Sequence, residues 1–226
     1  MIQLDQKRVL SAIDLALMLH KEQKRKGRDI PYITHLLAVA SKILEEGGDE
    51  DQFIAGLLHD SIEDQNTQWA SQVLDGVEII NLEIDEKQFL LSLLTNIEAS
   101  EYTFTLLGVI FKNFGKKVAL YVRHCSDSFT YPKKPWKQRK QEFISQCYYL
   151  PPEVKLIVAC DKWHNLYTTY LDLCRGGDNI WEKFNGGKEG SLWYYREIIH
   201  ALKSNWTHPI LLELQRYYLY ITEERI

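Results

Sequence analysis

The chain has no Cys-x-x-Cys pair, and its four cysteines (Cys125, Cys147, Cys160, Cys174) sit at spacings that match no zinc ribbon. Most of them lie in apolar or aromatic surroundings, which predicts reduced, buried thiols in an intracellular protein without disulfides. A basic excess is also missing. The net charge of −4 argues against a nucleic-acid polymer as partner. No apolar run approaches bilayer-spanning length, and residues 1 to 7 carry no apolar signal core. The expectation is a cytoplasmic protein with no membrane partner. Two glycine-rich stretches, Arg175-Gly176-Gly177-Asp178 and Gly186-Gly187-Lys188-Glu189-Gly190, lack the G-x-x-x-x-G-K-[ST] pattern of a phosphate loop and read as turns. Internal repeats and low-complexity tracts are absent.

What is present suits a soluble globular fold. With 226 residues, 45% hydrophobic and 26% charged, the chain can bury one sizeable core. Apolar positions recur with helical period over residues 2 to 24, ending at the basic cluster Lys24-Arg25-Lys26 and stopped by Gly27. Taken alone, that cluster reads as a complement to the helix dipole. A second helix follows Pro31-Tyr32-Ile33-Thr34-His35, with Thr34 as cap and His35 in the first turn. A third starts near Asp51. Residues 65 to about 107 read as an inserted subelement: Val77 to Ile84 is compatible with a strand or a short amphipathic piece, and Glu86 to Leu94 with a helix. Helical character resumes over Leu106 to Val122, where Gly115 is tolerated or marks a break. Asp127 to Trp136 reads as a loop before the basic stretch Lys137-Gln138-Arg139-Lys140. A buried helix runs from Val154 to Tyr170, another from Leu192 to Leu202, and the last from Ile210 to Tyr220 with Thr207 as cap. The fold class expected is all-α.

Chemistry concentrates in Leu57-Leu58-His59-Asp60-Ser61-Ile62-Glu63-Asp64. In a helix, Asp60, Glu63 and Asp64 would share one face. Three crowded carboxylates repel one another, and a bound cation relieves that repulsion. By itself the stretch reads equally well as a solvated acidic helix end. Two further helices place polar groups where apolar ones are expected, His35 on the second and Asp161 on the Val154 helix. Alone, His35 reads as a helix-capping or hydrogen-bonded histidine, and Asp161 as the partner of Lys162 or Arg139 in a buried ion pair. Together with His59 and Asp60 they make a mixed nitrogen and oxygen set. Such a set suits manganese, iron or zinc better than calcium or magnesium, and the absence of cysteine ligands argues against structural zinc. His20, His124, His164, His200 and His208 read as structural or surface residues.

The spacing of these pieces resembles the HD-domain superfamily of metal-dependent phosphohydrolases, and within it the RelA/SpoT-type (p)ppGpp hydrolases. The matching stretches are Arg25-Lys26 with Pro31-Tyr32-Ile33-Thr34-His35, then Leu57 to Asp64, then Ala159-Cys160-Asp161-Lys162-Trp163-His164-Asn165, with His59 24 positions after His35. The Glu63-Asp64 pair after His59-Asp60 is the discriminating element. The resemblance implies a single HD-type hydrolase domain over 1–226, strongest over residues 5 to 170, with the helices of 190–226 packed on it. It implies His35, His59, Asp60 and Asp161 as ligands of Mn2+, with Fe2+ or Zn2+ as alternatives. Glu63 and Asp64 would activate or orient a metal-bound water attacking the 3′-diphosphate of guanosine-3′,5′-bis(diphosphate). Arg25 and Asn165 would contact the nucleotide and Lys26 a phosphate; Arg139 and Lys140 fall near a basic position of the family.

Three departures bear on substrate identity. The 65–107 segment is longer than the family's connection, the family's V-x-G-x-T-K stretch is replaced by Val122-Arg123-His124-Cys125-Ser126-Asp127, and residues 181 to 196 look like stand-alone bacterial HD proteins. The same chemistry on another nucleotide or phosphorylated small molecule is the alternative, and a non-catalytic nucleotide-binding module the third reading. Oligomeric state is not indicated.

Overall fold

A computed structural model of the chain describes residues 3–63, 83–130 and 132–222. Among them are nine α-helices, one 3-10 helix and no strand, in keeping with the all-α expectation. They are α1 (Gln6–Leu19), α2 (Ile33–Glu45), α3 (Glu50–Leu58), α4 (Ile84–Leu93), α5 (Glu101–Cys125), α6 (Trp136–Cys147), α7 (Pro152–Gly176), a 3-10 turn (Gly177–Lys183), α8 (Gly187–Lys203) and α9 (Ile210–Thr222). A single hydrophobic cluster runs through them, from Ala12 and Ala16 on α1 to Leu214 and Ile221 on α9. Each fully buried Leu or Ile in it contributes about 1.5–3 kcal/mol.

The three helices that matter most are α2, α3 and α7, which pack on one another. The α2–α3 corner is tight because Gly56 has no side chain. A Cβ there would meet Ile43 Cδ1 at 2.5 Å and Ala40 Cα at 3.3 Å. The start of α3 is fixed by a capping box, in which Asp49 accepts from the Gln52 amide and Gln52 accepts from the Asp49 amide. Pro152 opens α7 at a position where a missing N–H costs nothing.

Several boundaries differ from the sequence reading. The first helix ends at Leu19, well before Gly27. His20 closes it through its amide to Ala16 O, and residues 20 to 32 form a loop pinned by Arg25 N to Ile30 O (2.9 Å) and Tyr32 N to Gln23 O (2.9 Å). The Lys24-Arg25-Lys26 cluster therefore sits in this loop and not at a helix C-terminus, so it cannot complement the α1 dipole. Thr34 lies inside α2, where its hydroxyl donates to Pro31 O at 2.9 Å; Tyr32 is the capping residue, and His35 is in the first turn as expected. The described part of the Leu57 to Asp64 stretch is not a continuous helix. α3 stops at Leu58, and Ser61 N to Leu58 O and Glu63 N to Asp60 O are tight three-residue turns. At the last helix, His208 Nδ1, not Thr207, accepts from Ile210 N. Gly115 does mark a break, with φ +87 inside α5. The Val77 to Ile84 reading lies almost wholly outside the described residues, as does Asp64. The described part of the insertion is α4 and the start of α5, held together by the Phe89–Phe111 ring contact and the Lys112–Glu86 ion pair.

Candidate metal centre and its cavity

His35 on α2, His59 and Asp60 at the C-terminal end of α3, and Asp161 in the middle of α7 converge. Asp161 Oδ1 lies 3.2 Å from His35 Nε2 and 3.6 Å from His59 Nε2, while Asp60 Oδ2 lies 3.6 Å and 3.1 Å from the same two atoms. Ligand atoms of His35, His59 and Asp60 all fall within 4.8 Å of one another. Both Nε2 atoms are buried and have no aligned hydrogen-bond partner. Leaving such a group unmet costs about 1–3 kcal/mol, so the pair of orphans points to something the protein atoms do not supply.

The tautomers are set from behind. His59 Nδ1 donates to Gly56 O at 2.8 Å, which turns its Nε2 toward the carboxylates. The same glycine that lets α2 approach α3 thus provides the acceptor. His35 Nδ1 meets His164 Nδ1 at 2.7 Å. Burial, with His35 and Arg25 nearby, holds His164 down at about 3, so that ring stays neutral and the contact is bridged by one proton. On His35 Nδ1 that proton leaves Nε2 with a lone pair facing Asp60 and Asp161.

Electrostatically the cluster asks for positive charge. Burial disfavours a charged His59, yet Asp60 and Asp161 outweigh it and lift its pKa well above the usual range. Burial likewise opposes ionisation of the two aspartates, but His59 and His35 hold Asp60, and Lys162 with the histidines holds Asp161, well below the usual carboxylate range. Two imidazole nitrogens and two ionised carboxylates, the carboxylates lining a cavity, fit a divalent ion of the transition series.

Glu63 stands beside this cluster. Its Oε1 accepts from the Asp127 amide at 2.9 Å, and burial followed by the Asp127 charge pushes its carboxyl up to about 8. Asp127 is itself ionised, its side chain 2% exposed and gripped by Arg139 and by Lys140 Nζ at 2.5 Å. Arg139 is therefore the partner of Asp127; it is Lys162 that pairs with Asp161, at 2.5 Å. On the other side, Asn165 donates to Asp161 Oδ1 at 2.6 Å and accepts from Arg25 at 2.9 Å. The sequence-predicted Arg25, Asn165, Glu63, Asp60 and Asp161 all line one cavity of about 590 Å³, and Lys26 lines it too.

Several residues at this site were not singled out from sequence. His164 sits directly behind His35, although it belongs to the Asp161-Lys162-Trp163-His164-Asn165 stretch and could have been found there. Tyr32 donates its hydroxyl to Asp60 Oδ2 and stacks on His20 at 5.3 Å. Asp127 enters the sequence reading only within a departure from the family pattern. The glycine-rich 175–190 region, read as turns, also forms cavity wall. Lys183, Phe184, Asn185 and Gly186 line it, and Trp136 packs so closely on Gly186 that a Cβ there would meet its ring at 2.6 Å. Cys125, Cys147 and Cys160 are buried thiols as expected, while Cys174 is exposed. No described helix is long and apolar enough to cross a membrane.

Comparison with known proteins places these features. Residues 12–78 match the model of an HD domain. Over 161 residues the chain is 30% identical to the guanosine-3′,5′-bis(diphosphate) 3′-pyrophosphohydrolase MESH1 of Xenopus tropicalis, covering 70% of this chain and 67% of that protein. A solved structure described as a metazoan orthologue of SpoT that hydrolyses ppGpp superposes with a TM-score of 0.65 at 19% identity, covering 95% of both chains. A Listeria monocytogenes protein superposes with a TM-score of 0.60 at 24% identity, over 83% of this chain and 97% of its own. The two structures bear on the fold alone.

Proposed function

The chain belongs to the HD-domain family of the MESH1 3′-pyrophosphohydrolases, and on that premise we propose that it hydrolyses the 3′-diphosphate of guanosine-3′,5′-bis(diphosphate), with Mn2+ as its metal. The observation that carries the reading is the pair of orphaned Nε2 atoms of His35 and His59 facing two ionised aspartates, with Glu63 at the edge of the same cavity. His35, His59, Asp60 and Asp161 would hold the ion. When bound, such an ion lowers the pKa of water and neutralises phosphate charge.

The chain's own residues do the rest. Glu63, its carboxyl pushed up to about 8, takes the proton of the attacking water in its ionised form, and the Asp127 amide keeps the carboxylate oriented. Asp64, in the same motif, is assigned with Glu63 to this step on resemblance. Lys140 and Lys162 flank Glu63 and Asp161 and offer positive charge to the transferred phosphate oxygens. Arg25, 5.6 Å over the Tyr32 ring and bonded to Asn165, presents a planar guanidinium on which a base can stack. Lys26 lies alongside for phosphate. The polar, basic wall favours a small polyanion over a nucleic-acid polymer.

The test is a hydrolysis assay with purified protein and added Mn2+, in which the substrate should yield GDP and pyrophosphate. If this substrate is untouched while another nucleotide is cleaved, the reaction class stands and the substrate does not. If no nucleotide turns over, the catalytic reading fails.

A further inference from the structure

We infer that Lys183 binds a second phosphate group of the nucleotide, remote from the one placed at the His–Asp cluster; the inference rests on the nucleotide reading above and deepens it. Lys183 lies beyond the His35 to Asn165 motifs, in the 181–196 stretch that looks like stand-alone bacterial HD proteins, and that resemblance assigned it no role. The ground for it is the layout of α7. Asp161, Asn165, Thr168 and Asp172 follow one another at intervals of four, three and four, which puts them on one face of the helix. Asp161 belongs to the metal cluster. Asn165 and Thr168 receive Arg25 at 2.9 Å and 3.4 Å. Asp172 receives both Arg28 and Lys183 Nζ, the latter at 2.5 Å.

All these residues face the same cavity of about 590 Å³. At 1.5 Å per residue, Asp172 lies roughly 16 Å along the axis from Asp161. One phosphate group cannot touch both ends of that span, whereas a nucleoside phosphorylated on two sides can.

The charge balance points the same way. Arg25 leans on neutral partners, while Arg28 and Lys183 share the single carboxylate of Asp172. Burial and the proximity of Arg28 and Arg25 push the Lys183 ammonium below its usual range. Crowded cations in a cavity are a standing cost, which a bound anion relieves. The position is also built. Gly27, at φ +69, forms the tip of the basic loop, and a Cβ on it would lie 3.0 Å from Lys183 Cδ. A larger residue there would be strained by its backbone and would press on the lysine stem. The loop that carries Arg25, Lys26 and Arg28 is thus seated beneath Lys183.

GDP carries the diphosphate on the far side of the sugar and lacks the cleavable one, so it probes this end alone. Isothermal titration of full-length, Mn2+-loaded protein with GDP and with guanosine is the test. Wild type should bind GDP at least about tenfold tighter than guanosine. In Lys183→Gln the GDP affinity should fall about tenfold, guanosine binding should change less than about twofold, and Lys183→Arg should restore the preference. The inference is overturned if wild type shows no preference for GDP, if Lys183→Gln keeps it, or if Lys183→Gln loses both ligands equally, as a purely structural tie to Asp172 would. These binding results stand apart from turnover: failure to cleave guanosine-3′,5′-bis(diphosphate) would remove the proposed reaction without touching them.

Discussion

Two buried polar clusters on α7 make an instructive pair. Near its N-terminal end Lys155 is 1% exposed, yet its ammonium is bonded to Leu202 O at 3.3 Å and to Asn205 Oδ1. Burial pushes its pKa down, but every contact belongs to the protein, and the cluster ties α7 to the end of α8. Less than two turns further on, Asp161 enters a cluster equally buried in which His35 and His59 each keep an unmet Nε2. One polar cluster is closed by the fold; the other is left open by it. Satisfied burial serves architecture, and unsatisfied burial, held in place by backing hydrogen bonds, marks where a ligand completes the structure.

The strongest way to test the contrast is to remove a group from the open cluster. Asp161→Asn and His59→Ala should each lower hydrolysis by a factor of about 1,000 or more. Saturating Mn2+ should raise the melting temperature of wild type by about 5–10 °C, corresponding to about 2.7 kcal/mol at a hundredfold excess over Kd. Neither variant should show that rise, whereas the metal-free melting temperature of Asp161→Asn should stay close to wild type. Calorimetric scans with and without metal decide it; an unchanged metal-dependent shift in both variants would mean the ion sits elsewhere.

Glu63→Gln separates holding an ion from using it. Turnover should drop about 100- to 10,000-fold, while the Mn2+-induced rise in melting temperature persists. Loss of both would place Glu63 among the ligands. The closed cluster should answer in the opposite way. Lys155→Met leaves Asn205 and Leu202 O without their partner and should cost about 1–3 kcal/mol in urea unfolding, with kcat within about twofold of wild type. A variant that kept its stability but lost activity would erase the distinction between the two ends of α7.

Much of the open cluster was legible because metal chemistry constrains residue type. His35, His59, Asp60 and Asp161 stood out as polar groups in apolar helices, and Glu63 through its spacing from Asp60. The tight turns after Leu58 were not legible. They arise from hydrogen bonds to Leu58 O and Asp60 O that helical periodicity cannot anticipate, and they set Asp60 and Glu63 on one side where a continuous helix had been expected to do so. The loop of residues 20 to 32 was misread for a related reason. Its charged residues extend the helical pattern of α1, and only the pairing of Arg25 with Ile30 and of Tyr32 with Gln23 bends the chain away. Asp127 and Lys183 escaped because their roles depend on partners distant in sequence, Glu63 and the Gly27 loop, and no local pattern carries such a relation. His164 was within reach, since it lies in the Asp161 to Asn165 stretch, but its contact with His35 spans 129 residues.

The smallest expected effect concerns His124, a half-buried polar group of the closed kind lying near the end of α5. Its Nδ1 accepts from the Arg123 guanidinium at 3.1 Å, so the folded ring is neutral there. Burial, and then the Arg123 charge, hold its pKa down at about 4. In the unfolded chain the ring titrates near 6.5. Between these values the unfolded state binds more protons than the folded one, so acid favours unfolding. The contribution is complete above about pH 6.5 and is lost as the pH falls toward 4. Because the side chain is partly exposed, the full effect is on the order of 1 kcal/mol. His124→Gln keeps an acceptor for Arg123 and cannot titrate, so its stability should fall less steeply than wild type over that window. Urea unfolding at pH 7, 5.5 and 4.5 measures the difference. Parallel pH profiles for the two proteins would mean that His124 is as accessible to protons in the fold as in the open chain, and the closed cluster at this end of α5 would not be closed after all.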